Sequence, residues 1–273
     1  MDLSELVSQP YNWPSIPRVV ALLLFELDRP EPDLRKITQL ISTDPALTVR
    51  LLELSNSTYF GLEGKVHSVS ESLALLGLPA VRSVAAAAAQ GSSFKAVPGI
   101  NLLQFWNYSL NVGKVSRSLA GVLRDNQQAA FTGGLIHAIG ELAIHLAMPE
   151  RMAGLNPEVS PISLKRADVE MKAFGFNYAD VGAGFARRWH LPQSLVDGLA
   201  HQCYPYEGDN YEPLSGILHL AAWRARAREA NLDQRAMAVT FPGTVGDILK
   251  LDIDMVLQQD PIDWSASVQG KQM

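Results

Sequence analysis

Ile37-Thr38-Gln39-Leu40-Ile41-Ser42-Thr43-Asp44-Pro45-Ala46-Leu47-Thr48-Val49-Arg50-Leu51-Leu52-Glu53-Leu54 decides the fold class. Leu34, Ile37, Leu40 and Ile41 recur at three- and four-residue intervals, the spacing of one buried helix face. Asp33 stands ahead of them as the cap, its carboxylate able to accept the first free amides. Asp44-Pro45 then stops and restarts the chain. The aspartate caps again, and a proline at the first helical position loses no hydrogen bond because that amide has no partner anyway. Leu47, Arg50, Leu51 and Leu54 carry the second helix to the polar break Ser55-Asn56-Ser57.

The same grammar extends in both directions. Pro14 and Pro17 precede an apolar run, Val19 to Leu27, that stops before Pro30 and Pro32. Ser68 and Glu71 have the spacing of a capping box ahead of Leu73, Leu75 and Leu76. Gly77 suits a left-handed helix end, and Pro79 opens the next helix, whose Ala85 to Ala89 run favours close packing. Gly91-Ser92-Ser93, with Pro98-Gly99, is the best candidate boundary. Beyond it a long helix is expected from about Leu102 to Leu123, followed by a glycine-rich helical stretch, Gly133 to Gly140. Each glycine inside a helix costs about 1 kcal/mol relative to alanine, so these imply tight helix contacts or a site needing backbone access. Further helices are expected over Leu164 to Phe174, Tyr178 to Trp189, Pro192 to Gln202 and Pro213 to Ala230. After Asn231 the pattern is mixed, with one helical patch near Asp247 to Leu257. Alternating strand patterns are almost absent, so the fold is all-α.

The 273 residues are 47% hydrophobic, enough for one large or two closely packed units. A net charge of -5 argues against a duplex-nucleic-acid binder, though not against a local basic patch. Cys203, the one cysteine, cannot form an internal disulfide, which fits a reducing compartment. The acidic start, Met1-Asp2-Leu3-Ser4-Glu5, is unlike a secretory leader, and runs such as Val19 to Phe25 are too short to span a bilayer. A cytoplasmic location with no membrane contact is expected.

His137 is the most notable histidine, set among glycines with Glu141 one turn later, where the two side chains can hydrogen-bond. That pair falls short of the three protein ligands a catalytic metal usually takes, so a buried histidine satisfied by the carboxylate is the plainer reading. His190 reads as a helix-end residue. His201, Gln202 and Cys203 read as a helix terminus before they read as ligands. Arg224, Arg226 and Arg228, with Arg235, read as a solvated basic face. No nucleophile elbow, phosphate-binding glycine loop or dinucleotide fingerprint is present.

Two stretches carry a family resemblance. Ile37 to Leu78, through Asp44-Pro45-Ala46-Leu47, Leu54-Ser55-Asn56-Ser57-Thr58-Tyr59-Phe60-Gly61 and Ser68 to Leu78, resembles the N-terminal signature of the HDOD family, output domains related to the HD metal-dependent phosphohydrolases. Gly134-Leu135-Ile136-His137-Ala138-Ile139-Gly140-Glu141-Leu142 resembles the segment that carries the HD doublet. The resemblance runs from about Ile16 to Ala230. It implies a bacterial signalling module: an N-terminal helical subdomain over 1–96, a degenerate HD-like bundle over 100–230 and a tail over 231–273.

In catalytic HD proteins, histidines, the histidine-aspartate doublet and a later aspartate bind metal. By the resemblance those positions are Tyr108, His137, Ala138, Tyr178 and Ala222 here. Alanine has no lone pair, and a phenol near pKa 10 is a poor ligand at neutral pH. His137, even helped by His201, does not make a catalytic site. The resemblance therefore implies a pseudoenzyme with a vestigial pocket of Tyr108, His137, Ala138, Glu141, Tyr178, His201 and Ala222, with no cofactor. It would act by binding a signalling protein or a small ligand, with Arg50, Asn56 and Tyr59 as surface candidates. Two alternatives stay open: a residual phosphohydrolase using Glu141, Asp168, Glu170 or Asp180, and a nucleotide sensor that keeps the old pocket without turnover.

Overall fold

The computed structural model describes residues 1–90, 96–207 and 211–258, all helix and connecting loop with no strand among them. The chain opens with α1 (Leu3–Ser8); the first unit is then built from α2 (Pro17–Leu27), α3 (Leu34–Ile41), α4 (Pro45–Ser55) and α5 (Val69–Ala88). The caps read from the sequence are in place. Asp33 Oδ1 accepts from Arg35 N at 2.9 Å, and Asp44 Oδ1 from Leu47 N at 2.9 Å. Ser68 Oγ accepts from Glu71 N at 3.3 Å, but the Glu71 carboxylate takes the amide of His67 instead of Ser68, so the box is displaced by one residue. Gly77 has φ +70° and ψ 177°, a backbone bend beyond the left-handed helical region, and it kinks α5 ahead of Pro79. The Gly91-Ser92-Ser93 boundary lies outside the described residues.

The second unit runs through α6 (Leu102–Leu123), α7 (Gln127–Ile136), α8 (Ile139–Ala147), α9 (Pro149–Leu155), α10 (Arg166–Phe174), α11 (Tyr178–Arg188), α12 (Gln193–His201) and α13 (Pro213–Glu229). The glycine-rich stretch is not one helix: α7 ends at Ile136 and α8 begins at Ile139. Gln202 Nε2 donates to the His137 carbonyl at 2.9 Å and His137 Nδ1 turns back to the Gly134 carbonyl at 2.7 Å, which takes both groups out of a regular ladder. The tail also folds back. α14 (Gln234–Thr240), α15 (Gly243–Leu249) and α16 (Ile253–Gln258) follow α13, and Val245, Leu249, Leu251 and Val256 are buried against the larger core. The expected single patch over Asp247 to Leu257 is two helices, parted at Lys250 with φ +58°.

Two hydrophobic cores result. Val20, Leu23, Ile37, Ile41, Leu47, Leu51, Val81 and Ala85 close the smaller one between α2 and α5. The larger joins α6 to α16, and it also takes Leu6, Trp13 and the Ala46, Val49 and Leu52 face of α4. α4 thus serves both cores, with buried residues on both sides. Gly113 of α6 faces Gly134 of α7, where an added Cβ would sit 2.7 Å from the Gly113 Cα; the tight-contact reading of these glycines fits. Two segments, Val69–Ala88 and Gln127–Ala147, are long and apolar enough to cross a membrane by length and composition. The first kinks at Gly77, and the second is broken at His137 and mostly buried in the bundle.

Candidate functional site

Three of the positions singled out in the sequence meet where α6, α7, α11 and α13 cross. Tyr108 on α6, His137 at the α7–α8 turn and Tyr178 at the start of α11 are fully buried. His137 Nδ1 lies 2.7 Å from a carbonyl, which only accepts, so that nitrogen carries the proton. Nε2 is then an acceptor, and the Tyr108 hydroxyl donates to it at 2.8 Å. Burial first, and then the charge of Arg226, push the His137 pKa down to about 3, so the ring is neutral. The expected His137–Glu141 hydrogen bond is absent because the helix breaks between them.

The central group is Arg226 of α13. It was expected on a solvated face, yet its side chain is buried, 7% exposed. Its guanidinium carbon stands 5.7 Å from the Tyr108 ring centre and 5.3 Å from that of Tyr178, and Nη2 donates to the Tyr178 hydroxyl at 3.0 Å. Cys203 Sγ donates to the same oxygen at 3.4 Å. Burial raises the Tyr108 pKa to about 12 and the Cys203 pKa to about 12, and it moves Tyr178 upward as well. At neutral pH all three therefore hold their protons and present no anionic donor. Ala222 lines the adjoining cavity of about 400 Å³ with Arg226, Cys203, His219 and Asp168. His201 is absent from that lining; its Nδ1 bonds the Asp197 carbonyl of its own helix at 3.0 Å.

Behind this cluster, Glu141 belongs to a second buried network. Arg166 Nη2 lies 2.7 Å from Glu141 Oε1, close but bent away from hydrogen-bonding line, and Arg166 Nε donates to Glu170 Oε1 at 2.8 Å. Glu170 Oε2 accepts from the Tyr178 amide at 2.8 Å and so fixes the start of α11. Burial, then the neighbouring Glu170, moves the Glu141 pKa well above the usual carboxylate range. Of the candidate alternative ligands, Asp168 accepts from the Tyr204 hydroxyl at 2.6 Å and Asp180 from the Asn177 amide at 2.8 Å. Glu141 and Glu170 share Arg166 while Asp168 and Asp180 are engaged elsewhere, and among the described residues no three His, Cys, Asp or Glu side chains converge on a metal position. The donor set does not fit a catalytic divalent ion: two phenols, a thiol and one neutral histidine surround a fixed guanidinium cation.

The surface candidates separate. Asn56 is fully buried and is corrected to a structural role, since its amide bridges Leu52 O at 3.1 Å and Val66 O at 3.0 Å and its Oδ1 accepts from Val66 N. Arg50 donates to Ser15 Oγ and Trp13 O, both at 2.9 Å, and staples the N-terminal segment to α4. Tyr59 is 87% exposed, packed edge-on against Phe60.

The family described as HDOD domain matches residues 13–205. An uncharacterized protein of Treponema pallidum (strain Nichols) is 26% identical over 211 residues, 76% of this chain and 41% of that protein, so the chain spans about two fifths of that relative's length. Among solved structures, the MmoQ response regulator of Methylococcus capsulatus str. Bath superposes with a TM-score of 0.71 at 24% identity, over 91% of this chain and 98% of that one. An HDOD domain protein of Geobacter sulfurreducens, of unknown function, gives a TM-score of 0.53 at 20% identity, over 94% and 92%. At these identities the solved structures speak for the fold.

Proposed function

Because the chain belongs to the HDOD family, we propose that it is a non-catalytic regulatory module of bacterial signal transduction, working in the cytoplasm by binding rather than by turnover. One observation carries this reading: Arg226 places a permanent positive charge among the positions that resemble former metal ligands. A divalent ion drawn there meets repulsion from the guanidinium and finds only neutral donors, and lone pairs of weakly basic groups do not offset the loss of its hydration. The two tyrosines at old ligand positions now have structural tasks. Tyr108 fixes the His137 tautomer, and Tyr178 anchors Arg226. The pocket has become a polar core, and output passes to the surface, where Tyr59 is the surviving candidate contact for a partner protein.

The test is elemental analysis of protein purified from cells supplied with manganese, iron and zinc, together with assays on phosphomonoesters and phosphodiesters. Well under one equivalent of metal and no metal-dependent hydrolysis are expected. A stoichiometric ion whose removal abolishes hydrolysis, and which a His137→Gln variant no longer holds, defeats the proposal.

A further inference from the structure

A second cleft lies away from the old pocket, in the groove between the two units. It holds about 650 Å³ and is lined by α3 and the start of α5 on one wall and by α6 and α7 on the other. Three cations face it: Arg35 from the first unit, and Lys114 and Arg117 from the second. None of its lining residues is an aspartate or glutamate. Among the described residues, no salt bridge includes any of the three cations. Lys114 is half-buried, and burial lowers its pKa. Leu110 and Phe131 supply an apolar surface beside the charges.

Three unpaired positive charges gathered in one cleft repel one another, and the cleft walls concentrate their field. In a chain of net charge -5, this is a local exception to the overall balance. Guanidinium groups match phosphate oxygens in a planar, two-pronged geometry, and an ammonium adds a point charge. An apolar patch beside such a cluster suits a flat base, and the volume is in the range of small-ligand sites. We propose that this inter-unit groove binds a free nucleotide carrying at least two phosphate charges, its phosphates on Arg35, Lys114 and Arg117 and its base against Phe131 and Leu110. The inference rests on the non-catalytic regulatory reading and names a ligand class for it: a ligand gripped from both walls ties the first unit to the second.

Titration calorimetry of the full chain with ADP, a cyclic dinucleotide and inorganic pyrophosphate tests the site, using wild type and an Arg35→Gln/Arg117→Gln variant. Arg35 and Arg117 are exposed, so the variant should retain the thermal midpoint of the parent. At least one nucleotide is expected to bind, more weakly as salt rises, and at least tenfold more weakly to the variant. Binding of no nucleotide, or nucleotide binding indifferent to the double substitution, overturns the groove assignment. Equal affinity for pyrophosphate and the nucleotides overturns the base contact and with it the nucleotide assignment. Product analysis on the same samples separates the two readings: a nucleotide bound in the groove and hydrolysed sinks the non-catalytic function while leaving the site in place.

Discussion

His137 and His145 each contribute a pH dependence whose sign follows from their burial. Burial is the leading cause in both, lowering His137 to about 3 and His145 to about 4 from the ordinary imidazole value of 6.5. Between those folded values and 6.5 the unfolded chain binds more protons than the folded one, so stability is full above pH 6.5 and is lost as pH falls. Each proton contributes a slope of about 1.4 kcal/mol per pH unit. Asp44 runs the other way: burial lifts it to about 6, so its folded form binds the extra proton between about 4 and 6 and stability rises there on acidification. Glu141 runs with Asp44 and His219 with the other histidines, so the imidazole part is read by difference: in urea unfolding at pH 7.5, 6.5, 6.0 and 5.0, wild type should lose stability below 6.5 more steeply than a His145→Gln variant, by the slope of about one proton. A wild-type slope no steeper than that of the variant contradicts a neutral buried imidazole at His145. The residue scale is also where sequence reading failed at the site. Tyr108, His137 and Tyr178 were named through the family pattern, but Arg226 was grouped with Arg224 and Arg228 as one charged face. Residues two apart on a helix point in nearly opposite directions, so Arg226 had to face away from its neighbours. That arithmetic was available in the sequence; its partners Tyr108 and Tyr178, 118 and 48 residues away, were not.

Helices that begin at a local chemical signal were legible, because the signal and the amides it satisfies lie within three residues. The Asp33 and Asp44 caps and the whole span of α6 needed no tertiary information. The break at His137 depends on Gln202, 65 residues later, and no local window contains it. Gly140 tests what such a junction demands. It opens α8 against α11, where an added Cβ would sit 2.8 Å from Gly182 N and collide with the Tyr178 carbonyl. Helix propensity alone predicts that Gly140→Ala stabilises by about 1 kcal/mol. Overpacking against backbone, which cannot rotate away, costs about 1–3 kcal/mol and wins. The expected outcome in urea denaturation is a net loss of up to about 2 kcal/mol with an unchanged m-value. A gain in stability shows that α8 and α11 are free to separate.

At the scale of the whole molecule, the chain order and the two cores do not coincide. The first fifteen residues were expected within a unit ending near residue 96, yet α1 and Trp13 pack in the larger core. Trp13 stands edge-on to Phe185 at 5.1 Å and to Trp189 at 5.8 Å, and Tyr11 joins Phe185 at 5.5 Å. Arg188 Nη1 closes the contact, donating at 2.8 Å to both Val7 O and Gln9 O. A helix of six residues has too few turns to show its face in sequence, and its partners stand about 175 positions away, so this crossing was not readable. Its consequence is an N-terminal strap that runs from α11 to the Arg50 staple on α4 and so holds both units. Trp13→Ala should remove a large aromatic from that strap at about 3–5 kcal/mol, a large part of a typical domain's stability of about 5–15 kcal/mol. Because Trp13 belongs to the larger core, the loss should fall unevenly. Hydrogen exchange should quicken across α8 and α11 while the amides of α2, α3 and the first half of α5 keep most of their protection. Equal loss across both sets would mean that α4 couples the two cores into one cooperative unit, and that the groove between them is too rigid for a bound ligand to alter.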